Sequence, residues 1–165
     1  MAALQKSVVE YKKQLEKGEI QKAYKGILEY LMALRTYFEK QYPDWIVPGG
    51  LYTGYMDMSY FSIIPSSLKE RKLKIAVVFL HEACRFEVWL AGVNKGVQTD
   101  YWQMIKQSGW NKYAPVVTTQ GADAIIEHIL IKEPDFDDLE GLTNQIQNGT
   151  QIFIKDVEQF LSEES

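Results

Sequence analysis

Polar and apolar positions along the chain change period several times, and each change predicts an element. Leu4, Val8, Tyr11 and Leu15 recur at intervals of four, three and four, which is the stripe of an amphipathic helix. Gly18 follows as a residue that tolerates the left-handed backbone of a helix end. A longer helix is predicted from Glu19 to Gln41, with Ile20, Ala23, Tyr24, Ile27, Leu31, Leu34 and Phe38 on one side and charges opposite. Pro43 and Pro48-Gly49-Gly50 close it. Leu51 to Ile64 reads as a strand, and Pro65-Ser66-Ser67 introduces at most one helical turn.

The centre of the chain is Leu73 to Gly92, LKIAVVFLHEACRFEVWLAG. A continuous apolar run, a short polar turn and an alternating run predict a β-hairpin turning about Glu82 and Ala83. That register sets Phe79 against Phe86, Val77 against Val88 and Ile75 against Leu90 on one side. Leu80, Val78 and Ala76 then oppose Arg85, Glu87 and Trp89 on the other. The first strand is apolar on both faces, as expected of a central strand covered on both sides. Beyond it, a short helix is predicted over Thr99 to Ser108, a short edge strand around Pro115, and a helix over Thr119 to Ile131 with Ala122, Ile125, Ile126 and Ile129 inward. A last helix, capped by Asp137, carries Leu139, Leu142, Ile146, Phe153, Val157 and Phe160. Gly149 lies on that stripe, where it either kinks the helix or admits another chain segment. These elements make one α+β domain over residues 1–165, with a central antiparallel-rich sheet of three to four strands flanked by N-terminal and C-terminal helices.

Composition narrows the function classes. The 165 residues carry a net charge of −4 and a pI near 5.3, so the chain lacks the basic field of a general nucleic-acid binder. Lys69, Arg71, Lys72 and Lys74 form a local basic group that reads first as a solvated loop. No apolar run approaches the ~20 residues of a membrane span, and Met1 to Val9 lacks the apolar core of a signal peptide. Cys84 has no cysteine to pair with, which fits a reducing cytosol.

Candidate chemistry is sparse. His81-Glu82 opens like a zinc-protease HExxH, but its fifth residue is Arg85 and the segment crosses a β-turn. His81, Cys84 and His128 fall one ligand short of a structural zinc site, and His81 reads as a solvated turn residue. Cys84 lacks a positioned base or second catalytic motif, and no glycine-rich phosphate loop is present. No catalytic residue, metal ligand or cofactor is assigned. Aromatics supply the remaining signal, with eight rings in the 25 residues from Tyr37 to Phe61. Some serve the core; others, with Trp89, are candidates to line a groove. The predicted ligand-binding surface is therefore Tyr55, Asp57, Arg85, Glu87 and Trp89, suited to a small polar ligand or a protein partner. The Arg85–Glu87 pair also has a plainer reading, as a surface ion pair.

Two resemblances bear on this. The whole chain, most specifically Gly54-Tyr55-Met56-Asp57-Met58, Arg85-Phe86-Glu87-Val88-Trp89-Leu90 and Asn111-Lys112-Tyr113, resembles a family of small bacterial proteins classed as a domain of unknown function. That resemblance implies a bacterial cytosolic protein and brings no activity or site residues with it. The helix–strand–strand–strand–helix–strand order of residues 19–118 also resembles the core of PD-(D/E)xK nucleases. It would cast Asp57 and Glu87 as metal-holding carboxylates. Trp89 stands where that family's lysine belongs, and Lys74 stands near the expected aspartate. The alternative reading is thus a degenerate or divergent nuclease-like phosphodiesterase, with Lys74 or Lys95 as a displaced lysine.

Overall fold

A computed structural model describes residues 2–164. The elements are α1 (Ala2–Glu16), α2 (Glu19–Gln41), β1 (Met58–Ile63), α3 (Ser66–Lys69), β2 (Leu73–Leu80), β3 (Arg85–Gly92), α4 (Lys95–Ser108), β4 (Ile126–Ile131) and α5 (Leu139–Glu164). The four strands form one antiparallel sheet in the order β1-β2-β3-β4. This is an α+β fold with helices from both ends of the chain flanking the sheet. The β2–β3 register pairs Phe79 with Phe86, Val77 with Val88, Val78 with Glu87 and Ala76 with Trp89, as the alternation predicts. With β1 and β4 on its outer edges, the hairpin occupies the centre of the sheet.

One face of the sheet meets the helices. Phe61, Ile75, Val77, Phe79, Phe86 and Val88 join Leu31, Leu34 and Phe38 of α2, Ile105 of α4, and Ile146, Phe153 and Val157 of α5 in the main core. Burying so many large side chains, at about 1.5–3 kcal/mol each, is what holds the helices on. A polar seam orients α2 against α5. Tyr30 Oη lies 2.9 Å from Thr143 Oγ1, and Gln147 accepts from Tyr37 Oη at 2.6 Å while donating to Tyr42 Oη at 2.9 Å.

The opposite face carries a smaller cluster of Ala76, Val78, Trp89 and Ala124, edged by Met58, Tyr60 and Leu80, to which no helix contributes. The covering on this side is a loop, which brings Ala124 and Asp123 over the sheet.

Several sequence expectations are corrected. The helix expected over Thr119 to Ile131 is absent: residues 119–125 are turn and loop, and residues 126–131 form β4, where four isoleucines and leucines in the six-residue run Ile126–Ile131 pair with β3, a pairing that overrides the helical stripe the same residues offer. The expected strand around Pro115 reduces to one bridge, Pro115 to Ile126. The strand expected from Leu51 begins only at Met58, because Gly54 (φ 68°) and Met56 (φ 64°) fold residues 54–57 into a turn. A Cβ on Gly54 would collide with the carbonyl oxygen of Met58. Helix α4 starts at Lys95, four residues before the expected Thr99, because Asn94 Oδ1 accepts from Val97 N at 2.9 Å. The cap of α5 is Asp138, not Asp137, accepting from Gly141 N at 3.0 Å. Gly149 leaves α5 unbroken and makes room for Leu130 of β4.

Candidate functional site

The site is built on β3. On the helix-free face Arg85, Glu87 and Trp89 follow one another at the two-residue period of a strand. Glu87 is 2% exposed and Trp89 6%, so the carboxylate sits under its neighbours and is no surface pair. Its Oε2 accepts from Arg85 Nε at 2.6 Å, and its Oε1 accepts from Trp89 Nε1 at 2.8 Å. Both oxygens are satisfied by the neighbours two residues before and after on the same strand, which fixes the indole edge and the guanidinium together. On β4, Glu127 pairs with Trp89 across the sheet. Partial burial, then the charges of Glu87 and Asp123, hold the Glu127 carboxyl above its usual range, with Arg85 pulling the other way.

Beside the indole lies a cavity of about 180 Å³, bordered by Tyr60, Lys74, Ala76, Trp89, Ala91 and Asp123. Its floor is small, Ala76 and Ala91; its walls are two rings; its rim carries one ammonium and one carboxylate. Burial, then the phenol of Tyr52 and the charge of Asp123, raise the Tyr60 hydroxyl pKa, so Tyr60 remains a neutral donor and acceptor at physiological pH.

Of the five residues expected to share a surface, the structure brings Arg85, Glu87 and Trp89 together. Tyr55 and Asp57 lie in the turn ahead of β1. Tyr55 is 91% exposed. Asp57 Oδ1 accepts from Tyr55 N at 2.9 Å, and bonds from the backbone of Tyr55 and Met58 hold its carboxyl below the usual carboxylate range. The turn docks on the β2–β3 loop through His81 N, which donates to Asp57 O at 3.0 Å. Among the described residues no hydrogen bond or ring contact joins it to Arg85, Glu87 or Trp89. Asp57 and Glu87 are thus committed to different partners, and among the described residues no group of three His, Cys, Asp or Glu could hold a metal ion.

Sequence reasoning missed Asp123 and Glu127, because both fell in the segment read as a helix. The density of β-branched residues in Ile125 to Ile131 was the signal available. It also placed His81 in solvent. The ring packs against Tyr24 and Phe79, and Nε2 lies 2.8 Å from Ser59 Oγ. Ser59 is fully buried and its hydroxyl donates to Thr53 O at 2.6 Å. With that proton committed, Nε2–H of His81 is the donor to Ser59. The pair ties the start of β1 to the turn after β2, and Ser59 carries the tie on to the loop at Thr53.

The Asn111-Lys112-Tyr113 segment has a structural role as well: Lys112 Nζ and Tyr113 Oη donate to the two oxygens of Asp156 in α5, at 3.1 and 2.6 Å. A model of the domain of unknown function DUF7000 matches residues 4–161. The chain belongs to that family. No curated protein and no solved structure matches it. Membership in the DUF7000 family carries no activity with it. No helix is long and apolar enough to cross a membrane among the described residues.

Proposed function

We propose that the protein is a non-catalytic binding module that takes a small polar ligand on the helix-free face of its sheet. The observation that carries this reading is the cavity beside Trp89, with Lys74 and Asp123 on its rim. A site needs groups that are already in place, because ordering them on binding costs affinity. Here Glu87 holds the indole, Arg85 holds Glu87, and Tyr52 stacks on Tyr60 with ring centroids 5.0 Å apart. At about 180 Å³ the space is below the ~300–1,000 Å³ of drug-sized sites. The fitting ligand therefore has few heavy atoms and bears both a cationic and an anionic or strongly accepting group. Tyr55 and Asp57 take no part in this cavity. Their turn is left as a second exposed surface, available to a protein partner.

The setting we infer is the bacterial cytosol, from the single unpaired cysteine and from the resemblance of the chain to small bacterial proteins. The acidic balance, −4 overall, favours a small-molecule ligand over a nucleic acid.

Thermal shift against a panel of small zwitterions, amino acids first, tests the reading. A ligand at 100 times its Kd stabilises by about 2.7 kcal/mol, or roughly 5–10 °C for a chain of this size. Asp123 is exposed, so Asp123→Asn leaves the fold intact and should abolish the shift, as should Lys74→Met. No shift with any compound, or a shift that survives both substitutions, overturns the proposal.

A further inference from the structure

The apolar stripe of helix α1 is open to solvent over Leu4, Val8 and Tyr11 and is half-covered only at Leu15. Leu4, Val8 and Tyr11 are 64%, 44% and 62% exposed, and α1 contains no buried residue. The next helix has the converse defect. The C-terminal half of α2 is buried through Leu31, Leu34 and Phe38, while its first half borders an open apolar groove. Two adjoining hollows of about 380 and 310 Å³ share Ala23 and Ile27. They are lined by Ile20, Gly26, Phe136 and Leu139, among others. A Cβ on Gly26 would meet nothing within 4 Å, so the groove floor is accessible at that point.

The two surfaces are compatible in length and opposite in charge. From Leu4 to Tyr11 the exposed stripe spans roughly 10 Å, which fits within the roughly 15 Å of groove from Ile20 to Tyr30, at 1.5 Å per residue. Beside the groove runs Lys132-Glu133-Pro134-Asp135-Phe136-Asp137-Asp138-Leu139-Glu140, with five carboxylates against one lysine. Helix α1 and its C-terminal neighbour carry Lys6, Lys12, Lys13 and Lys17 against Glu10 and Glu16, and Lys12 flanks the stripe. The arm therefore carries a small positive excess; Lys22 also lines the groove, but its ammonium lies 3.6 Å from Glu19, so the rim of the groove is acidic on balance.

They do not meet within one molecule. The α1–α2 junction is only Lys17-Gly18, with Gly18 at φ 81°. It is braced by Gly18 N donating to Leu15 O at 3.1 Å and Gln21 Nε2 donating to the same oxygen at 2.8 Å. That brace holds the stripe away from its own groove. We propose that α1 is an exchanged arm: in a two-fold dimer each copy lays the Leu4–Val8–Tyr11 face into the α2 groove of the other. A two-fold axis makes both contacts at once, so one arm and one groove per chain suffice.

Sedimentation of the full chain over a concentration series tests this. The expected result is a reversible dimer. Val8→Asp and Gly26→Glu lie at exposed positions and keep the monomer fold, checked by circular dichroism; each should weaken dimerisation by at least about tenfold. Mixing the two variants restores one of the two contacts, since the intact arm of Gly26→Glu meets the intact groove of Val8→Asp. The mixture should associate more strongly than either variant alone. A wild-type chain that stays monomeric, a dimer indifferent to both substitutions, or a mixture no stronger than its components overturns the exchange. Loss of thermal stability in a monomeric Val8→Asp would instead show the arm closing on its own groove, which overturns it too.

Discussion

Trp89 donates its indole N–H to Oε1 of Glu87 at 2.8 Å, two residues back along the same face of β3. Residues i and i+2 of a strand are not usual hydrogen-bond partners, because their side chains stand side by side rather than facing each other. Here the pairing works because the Glu87 carboxylate is held from the other side by Arg85. Trp89→Phe should therefore cost about 1–3 kcal/mol, the penalty of stranding one buried carboxylate oxygen. Arg85→Met removes the counter-charge and should cost at least as much, even though the Arg85 side chain is 35% exposed. The two losses should not add, since both act through the same carboxylate. Urea denaturation of the single and double variants measures this, and additive losses would contradict the shared anchor.

Val77 is fully buried at the centre of β2, paired to Phe61 on one side and Val88 on the other. Val77→Asp places an unpaired carboxylate in the main core, which no relaxation at the centre of a sheet can solvate. The variant should have no cooperative thermal transition by circular dichroism, whereas Val77→Ala should melt cooperatively at a lower temperature. A cooperative Val77→Asp melt near the wild-type temperature would remove β2 from the centre of the fold.

The hairpin register and the limits of α2 could be read directly from the sequence because local pattern and tertiary demand agree there. Phe79–Phe86 and Val77–Val88 are cross-strand pairs that alternation alone predicts, and Gly18 and Pro43 mark the ends of α2. Where a segment satisfies two periods, tertiary pairing decides. Ala122, Ile125, Ile126 and Ile129 fit a helical stripe, and Ile126 to Ile131 also fits a strand; the open edge of β3 chose the strand. This hid half of the candidate site, since Asp123 and Glu127 reach the helix-free face only through that strand and the loop before it. The turn that carries Tyr55 and Asp57 reads as strand in the sequence because its determinants are one glycine, Gly54, and a left-handed methionine, Met56, amid aromatic residues.

Asp156 collects two donors, Tyr113 Oη and Lys112 Nζ. Burial pushes its carboxyl pKa up, but the two hydrogen bonds and the lysine charge outweigh it, and the net displacement is downward. A depressed carboxylate stabilises the fold above its unfolded pKa, and that stability is lost as pH falls through the folded value. Asp156→Asn should thus destabilise by about 1–2 kcal/mol at neutral pH, the range of a charge-assisted hydrogen bond partly screened by solvent. The gap between variant and wild type should close progressively below about pH 4. A gap that stays constant from pH 7 to pH 3 would show that the charge of Asp156 contributes nothing.

Both histidines work the other way at milder pH. Burial lowers the pKa of His81, opposed by Asp57, and burial lowers that of His128, opposed by Glu87. A base whose folded pKa is depressed binds its proton more readily when unfolded. Its stabilisation is complete above the unfolded value of about 6.5 and declines as pH drops from there to the folded value. Titration of the two rings should lower the melting temperature between pH 7 and pH 5, offset in part by Glu127, whose raised carboxyl takes up its proton in the fold before it does in the unfolded chain. His81→Gln, which can still donate to Ser59, should flatten part of that fall. A pH profile of melting temperature that His81→Gln leaves unchanged from pH 7 to pH 5 would show that the His81 ring does not resist protonation.

Thr150 lies fully buried in α5, and its Oγ1 has no hydrogen-bond partner, alone in this among the buried side-chain oxygens and nitrogens of the described residues. Leaving a buried hydroxyl unsatisfied costs about 1–3 kcal/mol, whereas an apolar group of the same shape removes that penalty. Valine has nearly the shape of threonine and a similar helix propensity, so neither packing nor backbone opposes the exchange. Thr150→Val should therefore stabilise the protein by about 1 kcal/mol and raise the melting temperature by roughly 2–4 °C. A loss of stability would mean that the hydroxyl finds a carbonyl of the preceding turn in solution, which is the alternative partner a helical threonine has.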